Sequence, residues 1–371
     1  MLPISCAPSM TVPAERERTT TAAAGPAAPA GRTLVLVAGS GRSGTSLFTG
    51  IMQRLGFHVP QPEVPADATN PRGFAESKWV VDFHIGLLDR AVVQVADARP
   101  AAWAHTARVA HDDGVRRQLR EWLTGEFANA DHLIIKDPRL SWFLPLWRQC
   151  AEEVGASPKF ASVLRHPAAV VSSKQRSYGA WQGDVERTAG WINQALFTER
   201  ATREGPRVFL KYQDLLDDWT RAIARAGEAL DLAVVRDAPA ASIVQTHEFI
   251  DRTLARSRDT WDDFEIPDAL RELADDVWKL MSELADDHDA GGSEGLAERL
   301  EAARASYIRL YEDAQAIAQS SITAARRQVG TRPSRLISLA RRVPKRYRRK
   351  LPLRWRVTVA RALSRKGAVG T

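Results

Sequence analysis

One short segment constrains this chain more than any other: Gly39-Ser40-Gly41-Arg42-Ser43-Gly44-Thr45-Ser46. An apolar run, Leu34 to Ala38, leads into it, and it opens into Ser46–Leu55, where Leu47, Phe48, Ile51, Met52 and Leu55 recur at helical spacing before Gly56. A strand, a glycine-rich turn and a helix in that order make a binding site for a phosphate dianion. The glycines let backbone N–H groups turn inward, and the helix N-terminus adds its partial positive charge. Thr45 and Ser46 add hydroxyl donors, and Arg42 a planar, permanent cation. The spacing is that of a Walker A loop, but Thr45 stands where that loop carries its lysine. The missing lysine argues against a nucleoside triphosphatase.

The rest of the chain repeats the strand-then-helix alternation. Further strands are predicted at His132–Ile135, Lys159–Leu164 and Arg207–Leu210, stopped by Lys136-Asp137-Pro138, Arg165-His166-Pro167 and Tyr212. Helical stretches are predicted at 76–95 and 114–128, with loops at 60–75, 96–112 and 176–190 proposed to line an acceptor pocket. This is an α/β pattern: a three-layer, P-loop-like fold with a central parallel sheet covered by helices on both faces. Beyond 268 the chain reads as a charged helical flank, 268–287 and 294–319, around Ala290-Gly291-Gly292-Ser293. The expected organisation is a leader over 1–31, an α/β domain over 32–320 and a basic tail over 321–371.

Charge is divided unevenly along this plan. From Ala324 onward there are 16 Lys and Arg and no Asp or Glu, which leaves 36 basic against 45 acidic groups in the first 323 residues. Segment 332–366 interleaves its basic residues with Leu336, Ile337, Leu339, Tyr347, Leu351, Leu353, Trp355 and Val357, which suits an anionic membrane surface. A solubilising tail is the plain alternative, and nucleic acid the less favoured one. Residues 1–31, rich in Ala, Pro and Thr, lack the basic and apolar regions of a secretory signal, and Met10 is an alternative start to Met1. Cys6 and Cys150 make no disulfide framework, and no histidine pattern suggests a metal site. A cytoplasmic location, peripheral on the inner membrane face, is the expectation.

Gly41-Arg42-Ser43-Gly44-Thr45-Ser46-Leu47 resembles the 5′-phosphosulfate loop of sulfotransferases that use 3′-phosphoadenosine-5′-phosphosulfate (PAPS). Many eukaryotic members carry lysine at the place of Arg42. The family holds its 3′-phosphate with an arginine at a strand end and a serine eight residues later, and Arg165 and Ser173 match that spacing. A bidentate arginine with a hydroxyl in the first turns of a helix suits a phosphate dianion. Lys211-Tyr212-Gln213-Asp214-Leu215-Leu216 resembles the segment whose tyrosine contacts the adenine. A late phosphate-contacting loop would fall in Phe249–Arg258, with Arg252, Arg256 and Arg258.

The resemblance implies sulfuryl transfer from PAPS to a hydroxyl or amine, without a metal, on an acceptor such as a glycan or glycolipid. Here the chain departs from the cytosolic members: Lys136-Asp137-Pro138-Arg139 lacks their catalytic histidine. Lys136 remains to stabilise developing charge, beside Arg42. Asn70-Pro71-Arg72-Gly73-Phe74-Ala75-Glu76 is similar to a segment of bacterial sulfotransferase-like proteins, which makes Glu76 the expected general base and Asp137 the alternative. His166 reads as structural, and Trp103 and Trp181 as either sugar platforms or core. Two rivals stay open: a P-loop nucleotide kinase, and a non-catalytic nucleotide- or membrane-binding module on the same fold.

Overall fold

The computed structural model describes residues 31–179, 182–251, 253, 259–287 and 295–331. The leader, Trp181, Arg252, Arg256, Arg258 and the 332–366 segment therefore lie outside the described residues. The chain divides into two compact units, Met1–Ala297 and Glu298–Thr371.

The first unit is built on a parallel sheet of four strands: β1 (Thr33–Ala38), β2 (His132–Lys136), β3 (Ser157–Leu164) and β4 (Arg207–Lys211), in the order β2-β1-β3-β4. Each strand is an apolar run, as expected of strands buried on both faces. Alternate residues go to opposite sides. Leu34, Leu36, Leu133, Ile135 and Phe160 face one core, closed by α2 (Lys78–Ala91), α3 (Ala102–Ala110), α4 (Asp113–Glu126) and α5 (Leu144–Glu153). Val35, Val37, Ile134, Ala161, Val163 and Leu210 face a second core, closed by α1 (Thr45–Arg54), α9 (Trp219–Ala229) and Phe249. The three-layer α/β reading holds in this unit.

Strand order decides where a ligand can sit. The chain leaves β1 toward β2 on one side, then returns past β1 to place β3 on the other. The crevice at such a reversal, beyond the carboxyl ends of the strands, is where open α/β sheets bind ligands. Here it falls between β1 and β3, which pair in register from Thr33 with Ser157 to Ala38 with Ser162. Val37 is level with Lys136 on β2, and Leu164 with Lys211 on β4. The glycine-rich loop, Lys136, Arg165 and Tyr212 thus leave the sheet along one edge.

After β3 come α6 (Pro167–Tyr178) and α7 (Asp184–Thr202), and after β4 come α8 (Tyr212–Asp217), α9, α10 (Ala233–Arg236) and α11 (Ala240–Phe249). The next helix, α12 (Asp268–Asp286), packs on α7 and β4 through Leu270, Ala274, Val277 and Met281 on its buried side. His166 caps α6 by accepting from Ala168 N–H at Nδ1, 3.3 Å away, and turns its Nε2 toward Asp275 of α12 at 3.8 Å. That is a structural role, as the sequence suggests.

Two readings need correction. Segment 96–112 is not a loop at the pocket; it contains α3, in which a run of alanines after Pro100 favours helix. Trp103 on that helix is buried, stacked on Phe197 and donating to Asn193 Oδ1 at 3.0 Å. Its indole N–H has found a partner inside the core, so it offers no sugar platform. The last helix, α13 (Leu296–Thr331), runs about three turns beyond the predicted end at 319. Residues 320–331 contain no proline, and the first one follows at Pro333.

Candidate active site

At the carboxyl edge of the sheet lies a cavity of about 600 Å³, lined by residues from six separate stretches of chain. Gly41, Arg42, Gly44, Thr45 and Ser46 form one wall. The loop owes its path to backbone freedom: Gly39 and Gly44 have φ of 135° and 99°, where side chains rarely fit. Gly44 also has no room for a side chain. A Cβ there would sit 2.2 Å from Cδ2 of Tyr212, so the tyrosine ring lies directly on the loop. Arg42 takes a left-handed conformation too, φ 76°, at a cost that a non-glycine residue bears only where its surroundings impose it.

Three hydrogen bonds impose it. The Arg42 guanidinium donates to Thr69 O from both terminal nitrogens at 3.2 Å, and Nε donates to Ser173 Oγ at 3.1 Å. Arg165 donates from below to Arg42 O at 3.2 Å, and its guanidinium carbon lies 4.6 Å from the centre of the Tyr212 ring. Arg165, Ser173 and Tyr212 all line the cavity with the loop. Residues 42, 165, 173 and 212, chosen on the resemblance to sulfotransferase motifs, are brought together. Ser43 faces away: it is buried, and its hydroxyl donates to Ser40 O at 2.6 Å to close the turn.

Opposite the arginines stands an acid–cation pair. Lys136, at the end of β2, reaches Glu76 Oε1 at 2.5 Å, Ser46 Oγ at 3.0 Å and Phe74 O at 3.3 Å. Glu76 is 7% exposed and lies just outside α2, before its N-cap Ser77. Left-handed turns at Gly73 (φ 88°) and Ala75 (φ 51°) bring it back to the cavity. Burial pushes the Glu76 carboxyl above the usual carboxylate range; the Lys136 ammonium pulls it back, and the Asp137 carboxylate adds to the rise. A buried carboxylate so tuned, with a cation in contact, is equipped to take a proton.

Asp137 is placed differently. It is fully buried and does not line the cavity. Its Oδ1 accepts from the Arg139 backbone N–H at 2.6 Å and its guanidinium at 3.0 Å, while Oδ2 lies 3.4 Å from His84 Nδ1. Trp147 donates to His84 Nε2 at 2.9 Å, so the neutral ring carries its proton on Nδ1, toward Asp137. Despite the burial, these donors hold the Asp137 carboxyl below the usual range. It is a brace for the strand end, and Glu76 is the carboxylate that faces the cavity.

Segments 60–75 and 176–190, expected to line the pocket, contribute Ala68 to Phe74 and Arg176 to Tyr178, although α6 runs to Tyr178 and α7 starts at Asp184, so both ends of 176–190 are helix. Asn70 donates to Ser46 Oγ at 3.2 Å, and Arg72 lies 3.6 Å from Asp251, so the 67–73 stretch is tied to the loop and to the end of α11. Arg176, Ser177 and Tyr178 complete the wall from α6. Asn70 belongs to the segment that carries Glu76, and that was the available signal. Among the described residues, no three His, Cys, Asp or Glu side chains gather at metal-binding distance. No helix described is long and apolar enough to cross a membrane.

No protein-family model and no curated protein matches the chain. Solved structures do. The sulfotransferase domain from the Synechococcus PCC 7002 olefin synthase is 18% identical, with a TM-score of 0.40 over 68% of this chain and 97% of that one. The sulfotransferase domain from the curacin biosynthetic pathway is 15% identical, with a TM-score of 0.39 over 68% of this chain and 98% of that one. Both are sulfotransferase domains. At TM-scores of 0.40 and 0.39 these likenesses say nothing of the chemistry, which rests on the cavity's own residues.

Proposed function

We propose that this cavity binds PAPS and transfers its sulfuryl group to an acceptor hydroxyl or amine. The observation that carries the reading is convergence: the glycine-rich loop, Arg165 with Ser173, and the Glu76–Lys136 pair all line one cavity. The donor set fits a ligand with two separated anionic ends. Backbone N–H groups at the start of α1, with Ser46, suit the 5′-phosphosulfate. Arg165 and Ser173 suit the 3′-phosphate, and the Tyr212 ring offers an apolar face to the adenine.

In the proposed reaction Glu76 accepts the acceptor's proton as its oxygen or nitrogen bonds to sulfur. Sulfur's bond to the bridging phosphate oxygen breaks in line. Lys136 and Arg42 stabilise the charge that collects on the sulfuryl and leaving oxygens. Positioning and charge stabilisation carry most of the work in such transfers. A glycan or glycolipid acceptor is our further expectation, supported by the basic, apolar-interleaved 332–366 segment, which suits an anionic membrane surface.

The test is calorimetric and thermal binding of 3′-phosphoadenosine-5′-phosphate (PAP) beside ATP, GTP and AMP, for wild type and Arg165→Ala. PAP should bind and raise the melting temperature, since a ligand of the native state must do so. Arg165→Ala should weaken PAP by about 1.5–3 kcal/mol, the range for a hydrogen bond to a charged group. Stabilisation by ATP with magnesium but not by PAP would replace this reading with a nucleotide kinase. PAP binding without sulfuryl transfer to any acceptor would leave a binding module.

A further inference from the structure

Directly beneath the glycine-rich loop lies a cation that the proposed reaction does not use. Lys174 follows Ser173 on α6, and the two side chains part company there. Ser173 turns to the cavity, whereas Lys174 is 7% exposed and points under the loop. Its Nζ donates to Ser40 Oγ at 2.9 Å, and the Ser40 hydroxyl donates in turn to Gly41 O at 3.5 Å. Among the described residues Ser40 is its one hydrogen-bond partner, although an ammonium has three donors to place. A buried cation usually has an anionic partner, because burial without one is costly. No carboxylate of α6, α7 or the loop makes an ion pair with Lys174.

The surrounding charges make the deficit larger. Arg187 on α7 faces Lys174 and repels it, and is itself paired with Asp184 of the same helix. Burial first, and Arg187 second, bring the Lys174 ammonium down to about 8. The nearby place that lacks an anion is the concave side of the loop, one hydroxyl and one peptide away.

We propose that Lys174 is a positioning residue for the phosphate site, holding the loop from beneath through Ser40 and supplying positive charge that is balanced only when a phosphate dianion lies in the loop. This rests on the reading that the loop binds the 5′-phosphosulfate end of PAPS. The linkage has a definite sign. A bound dianion raises the proton affinity of Lys174, so binding takes up a proton once the pH exceeds about 8, and affinity falls as the pH rises further. Below pH 7 the lysine is charged in both states and no uptake occurs.

The experiment is titration calorimetry of PAP, and separately of inorganic pyrophosphate, at pH 6.5 and pH 8.5 in two buffers of different ionisation heat. The wild type should take up a fraction of a proton at pH 8.5 and should lose roughly tenfold in affinity between pH 7 and pH 9, one pH unit corresponding to a factor of ten. Lys174→Met should bind several-fold more weakly at pH 7 and show no uptake. Lys174→Arg should bind without pH dependence in this range. Wild-type binding with no proton uptake and flat affinity from pH 7 to 9 overturns the proposal, whatever the variants do. Uptake with pyrophosphate but no PAP binding supports Lys174 and removes the PAPS reading. Binding of neither ligand to folded protein overturns both.

Discussion

Two carboxylates stand within one strand end of each other and have opposite fates. Glu76 meets one hydrogen-bond donor, the Lys136 ammonium, and burial wins: its carboxyl is held above the ordinary value of 4.5. Asp137 is more deeply buried, yet lies below its ordinary value of 3.8, because His84 and three contacts from Arg139 stabilise the charge. Depth of burial therefore does not decide the direction; the number of donors aimed at the charged form does. The wall of the cavity keeps a carboxylate under-satisfied, and the brace behind it keeps one fully satisfied. Catalytic groups need the first condition and scaffolds the second.

The sharpest way to break this contrast is to neutralise each acid in turn. Glu76→Gln should lower sulfuryl transfer by about 10²–10⁴-fold, the usual contribution of a general base, while PAP still binds to a folded protein. Normal turnover in this variant would move the base elsewhere. Asp137→Asn should do the reverse and lose about 3–5 kcal/mol of stability, as expected when one partner of a buried ion pair is removed. A denaturant midpoint unchanged from wild type would show that Asp137 braces nothing.

Acidity separates the pair further. Asp137 binds its proton less tightly folded than unfolded, so its stabilisation is present above pH 3.8 and lost as the pH falls below it. Glu76 binds its proton more tightly folded, so its contribution declines as the pH rises from 4.5 through the raised value. Melting temperatures from pH 3 to 7 should therefore diverge between wild type and Glu76→Gln above 4.5, with the variant gaining. The acid limb of kcat/KM should also lie above 4.5 in wild type and vanish in the variant. The smallest expected effect is His84→Phe, about 1–2 kcal/mol of stability, from the loss of one donor to Asp137. Equal losses in His84→Phe and Asp137→Asn would mean that Arg139 contributes nothing.

The sheet was legible because its strands are apolar runs ended by glycine, proline or a charge, and the two motifs that resemble phosphate sites lie at such ends. Arg42, Arg165, Ser173 and Tyr212 could be chosen because the segments that carry them resemble sulfotransferase motifs. What stayed hidden depends on contacts between distant segments. His84 meets Asp137 across 53 residues, and nothing in Val80-Val81-Asp82-Phe83-His84 announces it. Lys174 reads as one more charge on a helix until the fold places Ser40 over it. Trp103 could have served a ligand or a core equally well, and only the position of Phe197 decides. The α3 helix was missed because its signal is alanine-rich rather than periodic.

The strand order has a consequence for the chain during its synthesis. The glycine-rich loop is made 123 residues before Arg165, which reaches back to the Arg42 carbonyl. At about 5–20 residues per second, the loop waits on the order of ten seconds for that support. Until β2 is made, late in that interval, β1 has no strand to pair with, and the strained turn at Arg42 is held only from Thr69, without Ser173 or Arg165. A ribosome stalled before β3 should therefore display a nascent chain that ignores PAP. One stalled after α11 has cleared the exit tunnel should display a chain that retains it.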